Sequence, residues 1–223
     1  MDWQPLILTF QLAFITTLLL FIIAIPISHW LSFTKSKVKP IIETIISMPI
    51  VLPPTVLGFY FLLAFSPGNT FGSWLDNTFG LQLVFSFSGL VLASMIYSLP
   101  FMVHPILSGL SNLPDSLSNA SYLMGHGKWR TLTKVLLPNI RPSLVSGIIL
   151  SFAHTIGEFG VILMIGGNIP GKTKVASIAI YDEVESMNYA AANRYSLILF
   201  LMAFFILLSV YLINRNSKNQ SLI

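Results

Sequence analysis

Two ionisable side chains, His154 and Glu158, stand inside a long apolar segment and are four residues apart. This spacing puts both on one face of a helix, where they could form a hydrogen-bonded unit. A charge in such surroundings is costly, so it is usually paired, protonated or turned toward a cavity. We expect the two residues at a gate or at an interface between subunits. Alternatively, Glu158 lies about 24 residues after Lys134, far enough at about 1.5 Å per residue to be solvated at the membrane surface.

A cluster of prolines marks a second unusual place, because Pro49, Pro53 and Pro54 cannot all lie in an unbroken helix. Broken helices at membrane depth are tolerated where they line a cavity or pack against protein. A plain kink is the alternative, since proline is frequent in membrane helices. The predicted pathway or gate residues are Pro49, Pro53, Pro54, Thr55, His154, Gly157, Glu158 and Gly160.

The remaining residues give little support for a catalytic site or a metal-binding site. His29, His104 and His126 fall in different segments without the spacing of metal ligands, so no metal site is predicted. No Ser/His/Asp set or carboxylate pair can be argued, and the absence of cysteine excludes thiolate chemistry. We therefore predict that the chain is not an enzyme and holds no cofactor of its own.

The composition explains why these residues are exceptional. Of the 223 residues 54% are hydrophobic and 9% are charged, whereas soluble domains carry about 25% charged residues. Long apolar runs exceed the roughly 20 residues that cross a bilayer. They lie at about 6–31, 41–65, 84–107, 135–165 and 195–213. We predict an all-α, polytopic membrane protein with about five transmembrane helices, or six if Gly157 or Gly160 breaks the fourth run.

Cationic residues predict the orientation, because lysine and arginine beside membrane segments are retained in the cytoplasm. Five crossings with the N-terminus outside and the C-terminus inside place most of them there. These cytoplasmic cations are Lys35, Lys37, Lys39, Lys128, Arg130, Lys134, Arg141, Arg215 and Lys218. The loop at about 108–134 is then cytoplasmic, and residues 166–194 are extracytoplasmic. The net charge of +4 reflects this placement, and no nucleic-acid partner is predicted.

The cytoplasmic loop contains a short predicted helix. Turn residues and an Asp or Ser suited to N-capping precede it, and Gly125 or Gly127 ends it. Its apolar side chains at helical spacing are Leu117, Ala120, Leu123 and Met124. Spacing alone leaves open whether this face rests on the bilayer or inserts into a groove of a partner protein.

A resemblance bears on that choice. Asn119-Ala120-Ser121, Gly125 and Val135-Leu-Leu-Pro138 resemble the loop of bacterial ABC importer permeases, whose pattern is Glu-Ala-Ala, three residues, Gly, nine residues, Ile, one residue, Leu-Pro. Asn119 and Ser121 depart from it. The resemblance implies that this helix couples the permease to a separate ATP-hydrolysing subunit. The coupling residues that it implies are Leu117, Asn119, Ala120, Ser121, Met124, Gly125, Gly127 and Pro138.

Two further stretches narrow the resemblance. Residues 47–58, with sequence SMPIVLPPTVLG, and Gly157-Glu-Phe-Gly160 followed by 167–171 are similar to molybdate permeases, with sulfate and tungstate permeases as near relatives. The resemblance implies one permease domain over 1–223 in the bacterial plasma membrane. The implied partners are two copies of a cytoplasmic ATPase, which bind ATP and Mg, and an extracytoplasmic solute-binding protein.

The small number of helices adds a prediction about assembly. Five helices are few to enclose a hydrophilic passage, and membrane subunits commonly associate about a two-fold axis. We therefore predict a homodimer with the passage between protomers. A self-contained channel or secondary transporter, a membrane-embedded enzyme and a nucleotide-binding protein are the alternatives.

One apparent nucleotide motif argues for the last of these. Gly166 to Thr173 satisfies the P-loop pattern of Gly, four residues, Gly-Lys-Thr. That motif works between a strand and a helix, whereas this copy follows a membrane helix and Pro170 removes a donor. We predict instead an outer loop that faces the substrate-delivering protein. Its candidate contact residues are Asn168, Pro170, Gly171 and Lys172.

Overall fold

A computed structural model describes residues 2–220, apart from the side chains of residue 210 and residues 213–220. This part of the chain consists of helices joined by turns and loops, and it contains no strand. The side chains of Arg215 and Lys218, which contribute to the predicted orientation, lie outside the described residues. In chain order the helices are α1 (Gln4–Phe33), α2 (Lys39–Val51), α3 (Pro54–Phe65), α4 (Thr70–Phe79), α5 (Phe87–Ser111), α6 (Asp115–Leu123), α7 (Lys128–Thr131), α8 (Leu137–Asn139), α9 (Arg141–Ile156), α10 (Gly160–Gly166), α11 (Ala176–Glu185) and α12 (Tyr189–Gln220), with a π-helical turn at Leu132–Leu136 between α7 and α8.

Three of the described helices are long and apolar enough to cross a membrane: α1, α5 and α12 over Tyr189–Ser209. Two bent pairs, α2 with α3 and Lys128–Asn139 with α9, raise the number to five if each pair is one span. The all-α polytopic fold predicted from composition is confirmed. The break at Gly157 adds no sixth crossing, because α10 has seven residues and is only about 10 Å long.

The second apolar run breaks between α2 and α3, whose axes differ by 112°. Leu52 and Pro53 have extended backbone, with ψ of 137° and 135°, and Pro54 opens α3. Proline is tolerated at the first helical position because a backbone N–H there would have no hydrogen-bond acceptor within the helix in any case. Pro49 differs from the other two prolines, since it lies inside α2 without ending it.

The fourth apolar run, predicted as one helix over 135–165, is broken twice. The break foreseen at Gly157 is present, since α9 ends at Ile156 and α10 begins at Gly160. A second bend of 80° separates residues 128–139 from α9. Ile140 stands at this bend with a non-helical backbone, and Pro142 occupies the first turn of α9. The alternative of a break at Gly157 is therefore present in the structure, whereas the bend at Ile140 was not predicted.

Helix α5 is the centre of the bundle and packs against α1, α9 and α10. Two apolar clusters surround it. The first joins α1, α2, α5 and the bend around Ile140, and the second joins α1, α5, α10 and α11. The exposed apolar residues of α1 and α12 form the outer faces of the bundle, as expected for surfaces that meet lipid. Examples are Phe10, Phe14, Phe204 and Phe205.

Close packing of α3 on α10 depends on Gly58. A Cβ at this position would lie 2.7 Å from the Cβ of Met164 and 3.1 Å from the Cα of Val161. Replacing Gly58 by valine should therefore force the two broken helices apart and destabilise the protein by about 1–3 kcal/mol, as overpacking commonly does. Thermal unfolding of the purified protein measures the effect. Gly68→Ala is the control, because its nearest contact would be an ordinary 3.8 Å, and equal stability of both variants would contradict the prediction.

Two amphipathic helices in the loops were missed by the search for apolar runs. Helix α4 follows α3, is capped by the Asn69 side chain, and ends at Gly80 with a φ of +63°. Phe71 stacks on Trp74 along its surface, and Trp74 meets Phe79 edge to face. Helix α11 lies within the predicted outer loop. Both have ten residues, too few to produce a membrane-spanning signal.

Candidate functional site

The carboxylate of Glu158 is buried in the bundle, with no exposed side-chain surface. Ser94 donates a hydrogen bond to Oε2 at 2.5 Å, and Ser98 donates to Oε1 at 2.7 Å. Both serines lie one helical turn apart on α5. The alternative that Glu158 is simply solvated at the membrane surface is wrong, because protein groups enclose it on the side facing α5.

His154 completes this cluster from the last turn of α9. Its Nδ1 lies 2.9 Å from Ser98 Oγ and 3.4 Å from Glu158 Oε1. The imidazole stacks on Phe101 with a centroid separation of 4.0 Å and contacts Tyr97 at 4.7 Å. About one fifth of the side chain is exposed, and that part lines a cleft. The structure thus brings the predicted pair together, and its role at a gate stays a prediction.

The main chain of the break between α9 and α10 is also held in place. Ser177 of α11 donates a hydrogen bond of 2.6 Å to the carbonyl oxygen of Glu158. Thr155 Oγ1 lies 3.0 Å from Ser98 Oγ on α5. Contacts with α5 and α11 therefore stabilise the break on two sides. These contacts fix the direction of the Glu158 side chain.

A cleft of about 490 Å³ opens where the two broken helices meet. Gly160 allows their approach, because a Cβ there would lie 3.0 Å from the Cβ of Pro54. The residues that line the cleft are Pro54, Thr55, Tyr97, Ala153, His154, Gly157, Glu158, Phe159 and Gly160. Irregular backbone at membrane depth is expected where it lines a cavity, so the cleft is the best candidate for part of a transport pathway.

Two predicted pathway residues do not belong to this cleft. Pro49 is buried within α2, and Pro53 is exposed at the break without lining the cavity. Pro49 does not face the cleft because the helix continues through it and turns its ring into the bundle. A separate cleft of about 550 Å³ follows the exposed side of α2 and includes Glu43 and Ser47. Ser47 Oγ lies 3.1 Å from His104 Nε2.

Sequence reasoning missed four residues that build the site: Ser94, Tyr97, Ser98 and Ser177. The spacing of Ser94 and Ser98, one turn apart inside an apolar run, was an available signal, since it puts two hydroxyl groups on one helix face. Nothing in the local sequence connects Ser177 to Glu158. That contact joins residues from different helices and depends on how the loop folds back.

Helix α6 presents an apolar surface beyond the bundle. Leu123 is 89% exposed and Met124 is 68% exposed. Asn119 and Ala120 are also exposed, whereas Leu117 is half-buried. Gly125, with a φ of +78° and no atom near its missing Cβ, ends the helix as predicted. Gly127 is exposed and extended, and Pro138 lies half-buried in α8, after the π-helical turn that contacts α6.

Two expectations for α6 need correction. Ser121, assigned to the coupling surface by resemblance, is 1% exposed and faces Thr131 at 2.8 Å and His126 at 3.2 Å. Its hydroxyl is turned inward because a helix that lies on α7 must bury one face. The N-cap is Pro114 and no side chain caps the helix, while Asp115 occupies the first turn.

Because its side chain faces inward, Ser121 stabilises the position of α6 against α7. Replacing Ser121 by alanine should leave Thr131, which is fully buried, without this partner at a cost of about 1 kcal/mol. We expect faster amide hydrogen exchange over residues 115–131 than in the wild-type protein. Ser118→Ala is the control, because Ser118 lies on the same helix but is less buried. Unchanged exchange in the Ser121 variant would contradict this stabilising role.

The P-loop-like segment is closed on itself. Thr173 is buried, donates to the carbonyl of Gly166 at 2.7 Å and accepts from the Ile169 N–H at 3.1 Å. The hydroxyl that would bind a metal ion in a P-loop is therefore occupied, and a helix, α10, precedes the segment in place of a strand. The predicted outer-loop residues Asn168, Pro170, Gly171 and Lys172 are all exposed.

Asp182 of α11 holds the loop that contains Asn168 and Lys174. It accepts hydrogen bonds from Asn168 at 2.8 and 2.7 Å and forms an ion pair with Lys174. On the same helix, the hydrogen bond that Tyr181 donates to Glu185 raises the pKa of the tyrosine hydroxyl. The described residues contain no group of three or more side chains that could hold a metal ion.

The helical fold is similar to that of ABC transporter chains of known structure. It matches the crystal structure of a bacterial ABC transporter involved in the import of the acidic polysaccharide alginate, with a TM-score of 0.77 and 17% identity, over 96% of this chain and 78% of the other. The family model of the binding-protein-dependent transport system inner membrane component matches residues 21–219. The chain therefore belongs to this family of transport subunits.

Two relatives are similar to this chain over most of its length. The molybdenum transport system permease protein ModB of Azotobacter vinelandii is 42% identical over 94% of this chain and 93% of its own length. The probable sulfate transport system permease protein cysT of Chlorella vulgaris is 34% identical over 92% of this chain and 76% of its own length. The predicted resemblance to molybdate permeases is thereby confirmed.

Proposed function

We propose that the chain is the permease subunit of an ATP-driven importer for molybdate, coupled through α6 to a separate ATPase. The observation that carries the coupling is the exposure of Leu123 and Met124 on a short helix outside the apolar spans. Neighbouring apolar side chains that are exposed together mark a surface that meets a partner protein or a membrane. The segment also has the family spacing from Gly125 to Leu137 and Pro138.

The orientation that fits this role has the N-terminus outside and the C-terminus inside. Residues 108–134 then face the cytoplasm, and 166–194 face a solute-binding protein outside the bacterial plasma membrane. Two copies of the chain, each one permease domain over 1–223, form a homodimer around the passage. Two ATPase subunits bind ATP and Mg and dock on the two copies of α6.

Transport follows from rigid-body motion of these parts. When ATP draws the two ATPase subunits together, the two copies of α6 move with them. The permease halves then rock between inward-facing and outward-facing states, which is the general form of alternating access. The bend at Ile140 connects α6 through the π-helical turn to α9. It gives the motion a direct route from α6 to the break at Gly157.

We favour molybdate as the substrate because the molybdenum permease relative is 42% identical and matches nearly the full length of both chains. Sulfate is the second candidate, since a sulfate permease relative is 34% identical, and tungstate is a further tetrahedral oxyanion of the same charge. The solute-binding protein is expected to make much of the distinction among them.

Reconstitution of the chain with its ATPase and binding protein in proteoliposomes tests the proposal. We expect molybdate-loaded binding protein to stimulate both ATP hydrolysis and uptake of labelled molybdate. Stimulation by sulfate alone would replace the substrate and keep the importer. Uptake by the chain without an ATPase would contradict the importer and support a channel or a secondary transporter.

A further inference from the structure

The two ring nitrogens of His154 have different surroundings. Nδ1 points into the bundle, toward Ser98 at 2.9 Å and Glu158 at 3.4 Å. The ring edge that carries Nε2 belongs to a side chain about one fifth exposed, and His154 lines the cleft between the broken helices. Phe101 and Tyr97 fix the ring plane from α5.

The hydrogen bonds of Ser98 determine which nitrogen carries a proton. Ser98 has one hydroxyl proton, and it donates this proton to Glu158 Oε1 at 2.7 Å. Since a carboxylate can only accept, Ser98 must in turn accept from His154 Nδ1–H and from Thr155 Oγ1–H. His154 therefore holds a proton on Nδ1. With a further proton on Nε2 the ring would be an imidazolium, and its second N–H would lie on the ring edge away from Ser98 and Glu158.

The negative charge of Glu158 does not prevent an anion from entering this cleft. Its side chain has no exposed surface and already accepts two short hydrogen bonds from Ser94 and Ser98. The carboxylate lies 3.4 Å from His154 Nδ1, where it attracts an imidazolium. Tyr97 and Thr55 add hydroxyl groups to the same lining.

We propose that His154 is a transit contact for the oxyanion. The imidazolium donates a hydrogen bond from Nε2 to one oxygen of the tetrahedral dianion in the cleft, and Glu158, acting through His154, is a positioning residue. This inference rests on the proposed oxyanion import and names a residue of its pathway. One charge-assisted contact that is balanced by a nearby carboxylate gives weak binding, as a site that must release its solute requires.

The test compares two amides at position 154 in the reconstituted complex. A glutamine amide reaches the place of Nε2, whereas an asparagine amide reaches only that of Nδ1. His154→Asn should lower maximal molybdate uptake at least tenfold, the effect of losing a hydrogen bond to a charged group. His154→Gln should retain several times more uptake than His154→Asn. The control is His104→Asn, whose histidine lies on α5 and bonds to Ser47 outside this cleft, and it should keep wild-type uptake.

The positioning role of Glu158 requires a readout that a structural role would not change. Glu158→Gln should lower maximal uptake and leave the half-saturating concentration of loaded binding protein unchanged, because the contact forms after docking. The double variant with His154→Asn should be no slower than His154→Asn alone, since both changes remove one interaction. Additive losses would overturn the assignment of Glu158.

The inference and the proposed function fail in different ways. If the wild-type complex takes up molybdate and His154→Asn does so at the same maximal rate, the transit contact at His154 is wrong while the importer stands. If the wild-type complex takes up neither molybdate, tungstate nor sulfate, the proposed function itself is wrong.

Discussion

Replacing Leu123 by aspartate should abolish ATP-driven uptake while leaving the permease folded. Leu123 is 89% exposed, so the change removes almost no packing from the protein itself. In a docked complex the same side chain would be buried, and a central apolar contact of this kind commonly contributes 2 kcal/mol or more. With a charge in its place, we expect uptake to fall by about two orders of magnitude.

Two measurements separate a docking defect from misfolding. The Leu123→Asp protein should reach the membrane with wild-type thermal stability but should not co-purify with the ATPase. Val38→Asp is the matched control, because Val38 is 49% exposed and lies between α1 and α2 on the same predicted side of the membrane. Wild-type uptake by the Leu123 variant would contradict the docking of an ATPase subunit on this side chain.

Replacing Glu158 by leucine should have the second largest effect, and here the fold itself should suffer. Leucine leaves the hydroxyl of Ser94, which is fully buried, without the acceptor that now binds it. Ser98 is also fully buried and loses the same carboxylate, but it keeps His154 and Thr155 as partners. A buried donor without a partner costs about 1–3 kcal/mol, which is a large part of the stability of a typical protein.

Thermal unfolding of the purified complex should show this loss directly. Glu158→Gln is the informative comparison, because its amide oxygen still accepts one hydrogen bond and it fills a similar volume. We expect the leucine variant to be the less stable of the two. Equal stability of both variants would contradict the idea that the Ser94 hydroxyl needs an acceptor at this position.

The breaks in the membrane helices could be predicted in part from the sequence. Pro53 and Pro54 act locally, by removing donors and excluding the helical conformation, so their effect on α2 and α3 can be read from residue type. Gly157 weakened its helix in the same local way. The bend at Ile140 carries no comparable signal, because Pro142 is compatible with the start of a helix and the direction of the bend depends on packing.

The side-chain partners of the site could be predicted less well. His154 and Glu158 are close in sequence, so helical spacing predicts that they meet, although Glu158 lies in the break after α9 and not on the helix itself. The acceptor role of Glu158 toward Ser94 and Ser98 joins residues on different helices, which no periodicity reveals. Ser121 shows the same limit, because the family position suggested a docking surface while packing on α7 turned the side chain inward.

Helix α6 is proposed to face the cytoplasm and to bind an ATPase subunit. The chain contains no cysteine, so Leu123→Cys provides a single thiol at a position of α6 that is 89% exposed. Labelling with a membrane-impermeant maleimide should succeed only in inside-out vesicles, and added ATPase subunit should protect the thiol. Labelling from the outside of intact cells, or equal labelling with and without the ATPase, would contradict the account.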